Sequence, residues 1–117
     1  MSDRLLEIRT YRLKPGTAAG FHAAMHGEAV PMLRQAGTDV VAYGRSDHEE
    51  ETYFLIRAYA DRAALEAEQA RFYAAPAWRQ GPREALVSRI ETYLNTLLWA
   101  SPQAIDSLRA ANQGGGD

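Results

Sequence analysis

Two short runs, "TDVVAYGRS" (38–46) and "TYFLIRAYA" (52–60), straddle the acidic turn "DHEEE" and constrain the fold more than any other feature. Both are rich in β-branched and aromatic residues, the composition of paired strands, and the short polar turn between them makes a hairpin. A two-stranded hairpin is marginal in water by itself. It needs further strands or a covering helix, and the flanking sequence supplies both on either side.

Upstream, "LLEIRTYRL" (5–13) alternates in strand fashion, "KPG" (14–16) stops it, and Thr17 is placed to cap a helix. Phe21, Met25, Ala29 and Met32 then recur at helical spacing. Pro31 removes an internal hydrogen bond, which predicts a kink or restart, and Gly37 is the natural C-terminal stop. Downstream, Asp61 caps a second helix, "RAALEAEQARFYA", with Leu65 and Phe72 on its apolar side. Pro76 opens a short extra turn through Trp78. "ALVSRIETYLNTLLWA" (85–100) reads for most of its length as a strand, because Val, Ile, Thr and Tyr dominate it.

The order is β-α-β-β-α-β, an α+β ferredoxin-like plait. One domain spans residues 1–103, and residues 104–117 read as a polar, flexible C-terminal tail ending in the frayed "NQGGGD". Two helices cover one face of such a sheet. By period two, Glu7, Arg9 and Tyr11, with Arg89, Glu91, Tyr93 and Asn95, are expected on the other face. The more apolar Leu6, Ile8, Leu86, Ile90 and Leu94 suit the helix side. A mixed charged and aromatic face predicts a buried contact with a second copy, so Arg9→Ala or Tyr93→Ala is expected to weaken a dimer.

Composition removes several function classes. The formal net charge of −2 gives no strong field for nucleic acid or an anionic membrane. The chain has no cysteine, so disulfides, thiolate nucleophiles and cysteine-held metals are excluded. No run approaches the roughly 20 apolar residues of a membrane helix, and the N-terminal residues carry no signal-peptide core, which points to the cytoplasm. G-x-G-x-x-G, P-loop and G-x-S-x-G patterns are absent, so nucleotide binding and serine hydrolysis have no support, and no cofactor is expected.

"FHAAMH" (21–26) puts His22 and His26 on one side of a helix, the spacing of zinc-protease helices. Those helices carry a glutamate after the first histidine; here Ala23 stands there. His48 belongs to the hairpin turn, Glu28 lies too far around the helix, and two histidines hold a metal weakly. No metal is expected. Two readings stay open for the pair: boundary histidines with hydrogen-bonded rings, or a cleft in which one ring serves as acid, base or haem ligand. Tyr43, Arg45, Tyr53, Arg57 and Tyr59 of the hairpin are the candidates to lie opposite, and the hairpin register, which a one-residue slip would invert, decides which of them point inward. Such a cleft suits an aromatic or enol-like anion, with His22 or His26 moving a proton and Arg57 stabilising the oxyanion. Tyr11, Tyr43, Tyr53, Tyr59 and Trp78 are the candidates for contacting the substrate. The competing reading makes these tyrosines core aromatics and pairs the arginines with Glu7 or Glu91, while "EEE" (49–51) is a solvated turn.

"EIRTYRLKPGT" (7–17), "PMLRQAG" (31–37), "VVAYGRS" (40–46), "YFLIRAYADRAALEAEQARFYAAPAWRQ" (53–80) and "LVSRIETYLNTLLWASPQ" (86–103) together resemble the NIPSNAP family of the dimeric α/β-barrel superfamily. The Lys-Pro-Gly turn and Ala-Pro-Ala-Trp segment are its more specific parts. This chain departs from the family pattern on the third strand, where Leu55 stands near a usual histidine and Arg57 at a frequent tryptophan position. The resemblance implies a homodimer of two plaits pairing sheet to sheet, with helices outside. It implies no reaction; the wider superfamily includes cofactor-independent oxygenases, haem-handling enzymes, isomerases and stress-response proteins. The cleft together with the superfamily suggests a cofactor-independent monooxygenase or isomerase acting on a small aromatic or polyketide-like molecule. The alternative is a non-catalytic small-ligand-binding or protein-interaction module.

Overall fold

The structure, a computed structural model, describes residues 2–112. Strands β1 (Arg4–Leu13), β2 (Asp39–Arg45), β3 (Thr52–Tyr59) and β4 (Ile90–Ala100) form one antiparallel sheet in the order β2-β3-β1-β4. Between β1 and β2 run α1 (Ala18–Ala24), a π-helical turn (Met25–Ala29) and α2 (Val30–Gln35). Helices α3 (Arg62–Ala74), α4 (Pro76–Arg79) and α5 (Arg83–Val87) link β3 to β4, and α6 (Pro102–Ala111) follows. This is the ferredoxin-like plait with added helices. No helix among the described residues is long and apolar enough to cross a membrane.

The register places Glu7 opposite Arg57, Tyr11 opposite both Tyr53 and Tyr93, and Arg9 opposite Asn95. It also corrects the expected faces. Tyr11 and Leu13 pack with Phe21, Met25 and Leu33 beneath the helices, whereas Leu6 and Ile8 pack with Ile56 and Ile105 on the opposite side. The odd-numbered residues of β1 therefore face inward. The rule that apolar residues point to the helices fails because Glu7 and Arg57 neutralise one another there. Both are 0% exposed.

The π-turn answers Pro31. Val30 N–H donates to Met25 O, five residues back, and α2 restarts with the proline in its first turn, where no N–H is needed. The wider turn also lags the α-helical rotation, so Leu33, rather than Met32, extends the buried stripe of Phe21, Met25 and Ala29. Gly37, at φ 95°, ends α2 as expected. Asp61 accepts from Ala64 N–H at 2.8 Å and caps α3.

The start of α1 is a second correction. Thr17 donates its hydroxyl to Lys14 O at 2.6 Å and caps nothing. Glu51, expected in a solvated turn, instead accepts from the backbone N–H groups of Gly16 and Ala18. These two hydrogen bonds hold its carboxyl below the usual range. Because its folded pKa is depressed, its contribution is present above the ordinary carboxylate pKa of about 4.3 and is lost as pH falls through the lower folded value. Wild type is expected to unfold at a higher temperature than Glu51→Gln at neutral pH, with the gap closing on acidification. A gap unchanged down to strongly acid pH would remove Glu51 from the cap.

Two further elements depart from expectation. The run 85–100 is a strand for most of its length, as expected, but its start is not: Leu86 lies buried in α5 and Arg89 precedes β4. Arg89 packs so closely on Gly20 that a Cβ there would sit 2.8 Å from its Nε. Ser101 caps α6, accepting from Ala104 N–H at 3.1 Å, and the helix runs on to Ala111, into the 104–117 segment expected to be a flexible tail. α6 is ordered because Ile105, 1% exposed, packs on the sheet face away from the other helices. Arg109 fixes it to Asp39 of β2 with a 2.8 Å ion pair, and Arg4 of β1 pairs with the same carboxylate at 2.8 Å. Burial opposes the Asp39 charge, but the two arginines outweigh it and lower its pKa. The end of "NQGGGD", from residue 113, lies outside the described residues.

Candidate functional site

Between the sheet and the helix layer lies a cavity of about 360 Å³, on the β1–β4 side. That is within the range of small-ligand sites, about 300–1,000 Å³. Its apolar wall comes from α1, the π-turn and α2 through Phe21, Met25, Ala29 and Leu33, with Phe72 and Trp78 facing them. The π-turn matters here: it keeps Met25, Ala29 and Leu33 on one line facing the cavity. Val87 and Tyr93, 43% and 55% exposed, form the mouth together with Arg83.

One end of the cavity is polar. Arg9, Tyr11, Gln69 and Tyr73 line it, and behind them lie Glu7 and Arg57. Arg57 Nε donates to Glu7 Oε1 at 2.8 Å. Arg57 Nη2 lies 2.7 Å from the same oxygen, outside hydrogen-bond geometry. Glu7 Oε2 accepts from Gln69 and Asn95, both at 3.0 Å, and from Arg9 at 3.4 Å. Arg9 Nε donates to Asn95 Oδ1 at 2.8 Å, and its guanidinium lies 4.7 Å from the centre of the Tyr93 ring. Tyr73 OH accepts from Arg57 Nη1 at 2.9 Å and from Arg9 Nη1 at 3.5 Å.

Two guanidiniums thus share one carboxylate, leaving a surplus positive charge beside an apolar cavity. Burial opposes charge on both arginines, yet their pKa values are raised, with Glu7 and the surrounding phenol groups favouring the cations. Burial pushes the Tyr11 phenol up, so it stays protonated. Tyr59 takes a hydrogen bond from Gln69 at 3.1 Å and is pushed up to about 12, chiefly by burial. An uncompensated cation in a low-dielectric cavity attracts an anion far more strongly than one in water.

The expected residues divide between two places. Tyr11 and Trp78 line the cavity; Arg57 supports it from behind through Tyr73 and Glu7. Tyr43, Tyr53 and Tyr59 are not among the lining residues. His22 and His26 lie elsewhere on α1 and the π-turn, each with its Nδ1 at 2.6 Å from a hydroxyl, of Tyr53 and Tyr43 respectively. Their rings stack at 5.5 Å and 17°. The hairpin tyrosines do meet the histidines, as the cleft reading required, but away from the cavity and from Arg57. Burial raises the Tyr53 phenol pKa. Among the described residues, no three His, Cys, Asp or Glu side chains gather to hold a metal.

Arg9, Asn95, Gln69 and Tyr73 were not anticipated as cavity residues. Arg9 and Asn95 follow from the inverted face. Gln69 and Tyr73 carried a usable signal: four residues apart, they share the α3 side that buries Leu65 and Phe72. A polar pair on a buried helix stripe marks a polar interior.

Comparison with known proteins supports the fold. A NIPSNAP domain protein from Burkholderia xenovorans superposes with a TM-score of 0.72 at 24% identity, covering 84% of this chain and 95% of that one. A NIPSNAP family protein of unknown function from Agrobacterium tumefaciens gives 0.76 at 22%, covering 84% and 88%. A Caulobacter crescentus protein assigned provisionally as an antibiotic biosynthesis monooxygenase gives 0.62 at 19%, covering 85% and 91%. A search of curated proteins finds no match. The NIPSNAP family profile matches residues 6–102, nearly the whole plait, and the chain belongs to the NIPSNAP family.

Proposed function

We propose that the cavity binds a small, largely apolar anion, an aromatic or polyketide-like molecule ionised at oxygen, and stabilises its charge. The observation that carries this reading is the surplus guanidinium: Arg9 and Arg57 share the single carboxylate of Glu7 at the end of an apolar chamber. An enolate held there has its oxyanion stabilised while its carbon framework lies among Phe21, Met25 and Leu33. Cofactor-independent oxygenation and isomerisation both pass through such an anion, and the provisional assignment of the Caulobacter protein points the same way. A second reading, ligand binding without turnover, is favoured by one feature. Among the described residues, no histidine, aspartate or glutamate lines the cavity, and the Tyr11 phenol, raised by burial, is a poor base.

Calorimetric titration with 4-nitrophenol, at a pH where it is ionised, and with uncharged nitrobenzene tests the charge. The anion is expected to bind at least about tenfold tighter, and Arg9→Gln to erase the preference, since a hydrogen bond to a charged group contributes about 1.5–3 kcal/mol. Equal affinities in wild type would sink the reading. Oxygen uptake or spectral change of bound enols then separates turnover from binding.

The protein is also proposed to act as a homodimer through its sheet. α6 covers only part of the face away from the other helices. Leu94, 72% exposed, and Leu98, 39% exposed, remain bare on β4, beside the half-buried Ile8 and Phe54. Sedimentation at micromolar concentration is expected to return about twice 13.0 kDa, and Leu94→Glu to shift the mass toward one chain. A monomeric wild type would refute the pairing.

A further inference from the structure

The hydrogen bonds around Tyr73 narrow the ligand class further, on the reading that the cavity binds an anion. A phenol oxygen has two lone pairs and one proton. Both lone pairs of Tyr73 are turned toward cations, Arg57 Nη1 at 2.9 Å and Arg9 Nη1 at 3.5 Å. Its proton has no acceptor among the described residues, and the ring lines the cavity. A hydroxyl backed by two guanidiniums is a polarised donor.

Three of the five N–H groups of Arg9 are engaged inside the protein. Its Nε is committed to Asn95, its Nη2 to Glu7 and its Nη1 to Tyr73. Carboxylates are gripped best by two parallel N–H groups of one guanidinium. The Nε–Nη2 edge of Arg9 is already given to Asn95 and Glu7, and the charge on its Nη1 is passed to the cavity through the Tyr73 O–H.

We infer that Tyr73 is the donor that reads the ligand's oxyanion, and that the cavity selects a single-oxygen anion, a phenolate or enolate, over a carboxylate. Arg57 and Arg9 then act on the ligand mainly through the Tyr73 hydroxyl. Arg83, exposed at the mouth with Glu84 at 3.8 Å, is the residue a carboxylate would meet instead.

Three probes of similar size test this: 4-nitrophenolate, 4-nitrobenzoate and nitrobenzene, titrated into wild type, Tyr73→Phe and Arg9→Gln. Wild type is expected to bind the phenolate at least about tenfold tighter than the benzoate. Tyr73→Phe is expected to lose about tenfold to a hundredfold on the phenolate while holding nitrobenzene unchanged. Benzoate binding as tightly as the phenolate overturns the selectivity. Equal loss of phenolate and nitrobenzene in Tyr73→Phe makes Tyr73 a packing residue and overturns the inference. A phenolate preference lost in Arg9→Gln but kept in Tyr73→Phe overturns it too, leaving the anion-binding reading intact. No preference for either anion over nitrobenzene in wild type overturns both. A crystal structure of wild type with 4-nitrophenolate asks the same question without a substitution. The phenolate oxygen is expected within about 2.5–3.0 Å of the Tyr73 hydroxyl. An oxygen seated on Arg83 at the mouth overturns the assignment.

Discussion

Arg57→Met is expected to destabilise the protein by about 3 kcal/mol, read as a fall in the denaturant midpoint. Removing one partner of a buried ion pair costs about 3–5 kcal/mol, because the other charge is left without compensation. The low end applies here, since Glu7 keeps Gln69, Asn95 and the more distant Arg9. Glu7→Gln acts from the opposite side and leaves Arg57 and Arg9 to repel each other across Tyr73. The two changes share one network, so the double variant is expected to cost less than the sum of the singles by about 1 kcal/mol or more. Strict additivity would show that the two side chains do not depend on each other. A buried ion pair is seldom the most stable solution for a core. Its retention at the end of a cavity fits a site whose charge matters more than its stability.

Phe21→Ala is the second large loss, about 3–5 kcal/mol on the scale of buried aromatic truncations. Phe21 is 0% exposed, with its ring centre 5.2 Å from that of Tyr11 and 4.9 Å from that of Tyr53. It joins the cavity wall to the tyrosine that holds His22. Because the ring already borders a void, its removal enlarges open space instead of prompting collapse, which favours the upper part of the range. The variant is also expected to admit larger aromatic anions than wild type. A loss below about 1 kcal/mol would mean that α1 is not seated on the sheet as described.

The plait itself was legible in the chain because each of its signals is local. Asp61 caps α3, Gly37 ends α2 with a positive φ, and Pro31 forces a restart that the π-turn carries out. Each depends on a few neighbouring residues, and a sequence displays such neighbours directly. The NIPSNAP resemblance, carried by the Lys-Pro-Gly turn and the Ala-Pro-Ala-Trp segment, agrees with the family profile over residues 6–102.

The site was less legible. Period two divided β1 correctly into Leu6 and Ile8 on one side and Glu7, Arg9 and Tyr11 on the other. It could not say which side is inside, because hydrophobicity alone points the charged set outward. That set faces inward only because Arg57, 50 residues away in sequence, supplies the opposite charge. Gln69 of α3 and Asn95 of β4 then satisfy the remaining acceptor capacity of Glu7. Glu51 capping α1 and Ile105 seating α6 are of the same kind, each made by residues far apart in the chain. Local backbone preference and turn chemistry are properties of the sequence itself. Which polar groups can be buried, and therefore where a cavity can hold charge, depends on partners that only the assembled sheet and helices bring within hydrogen-bonding distance.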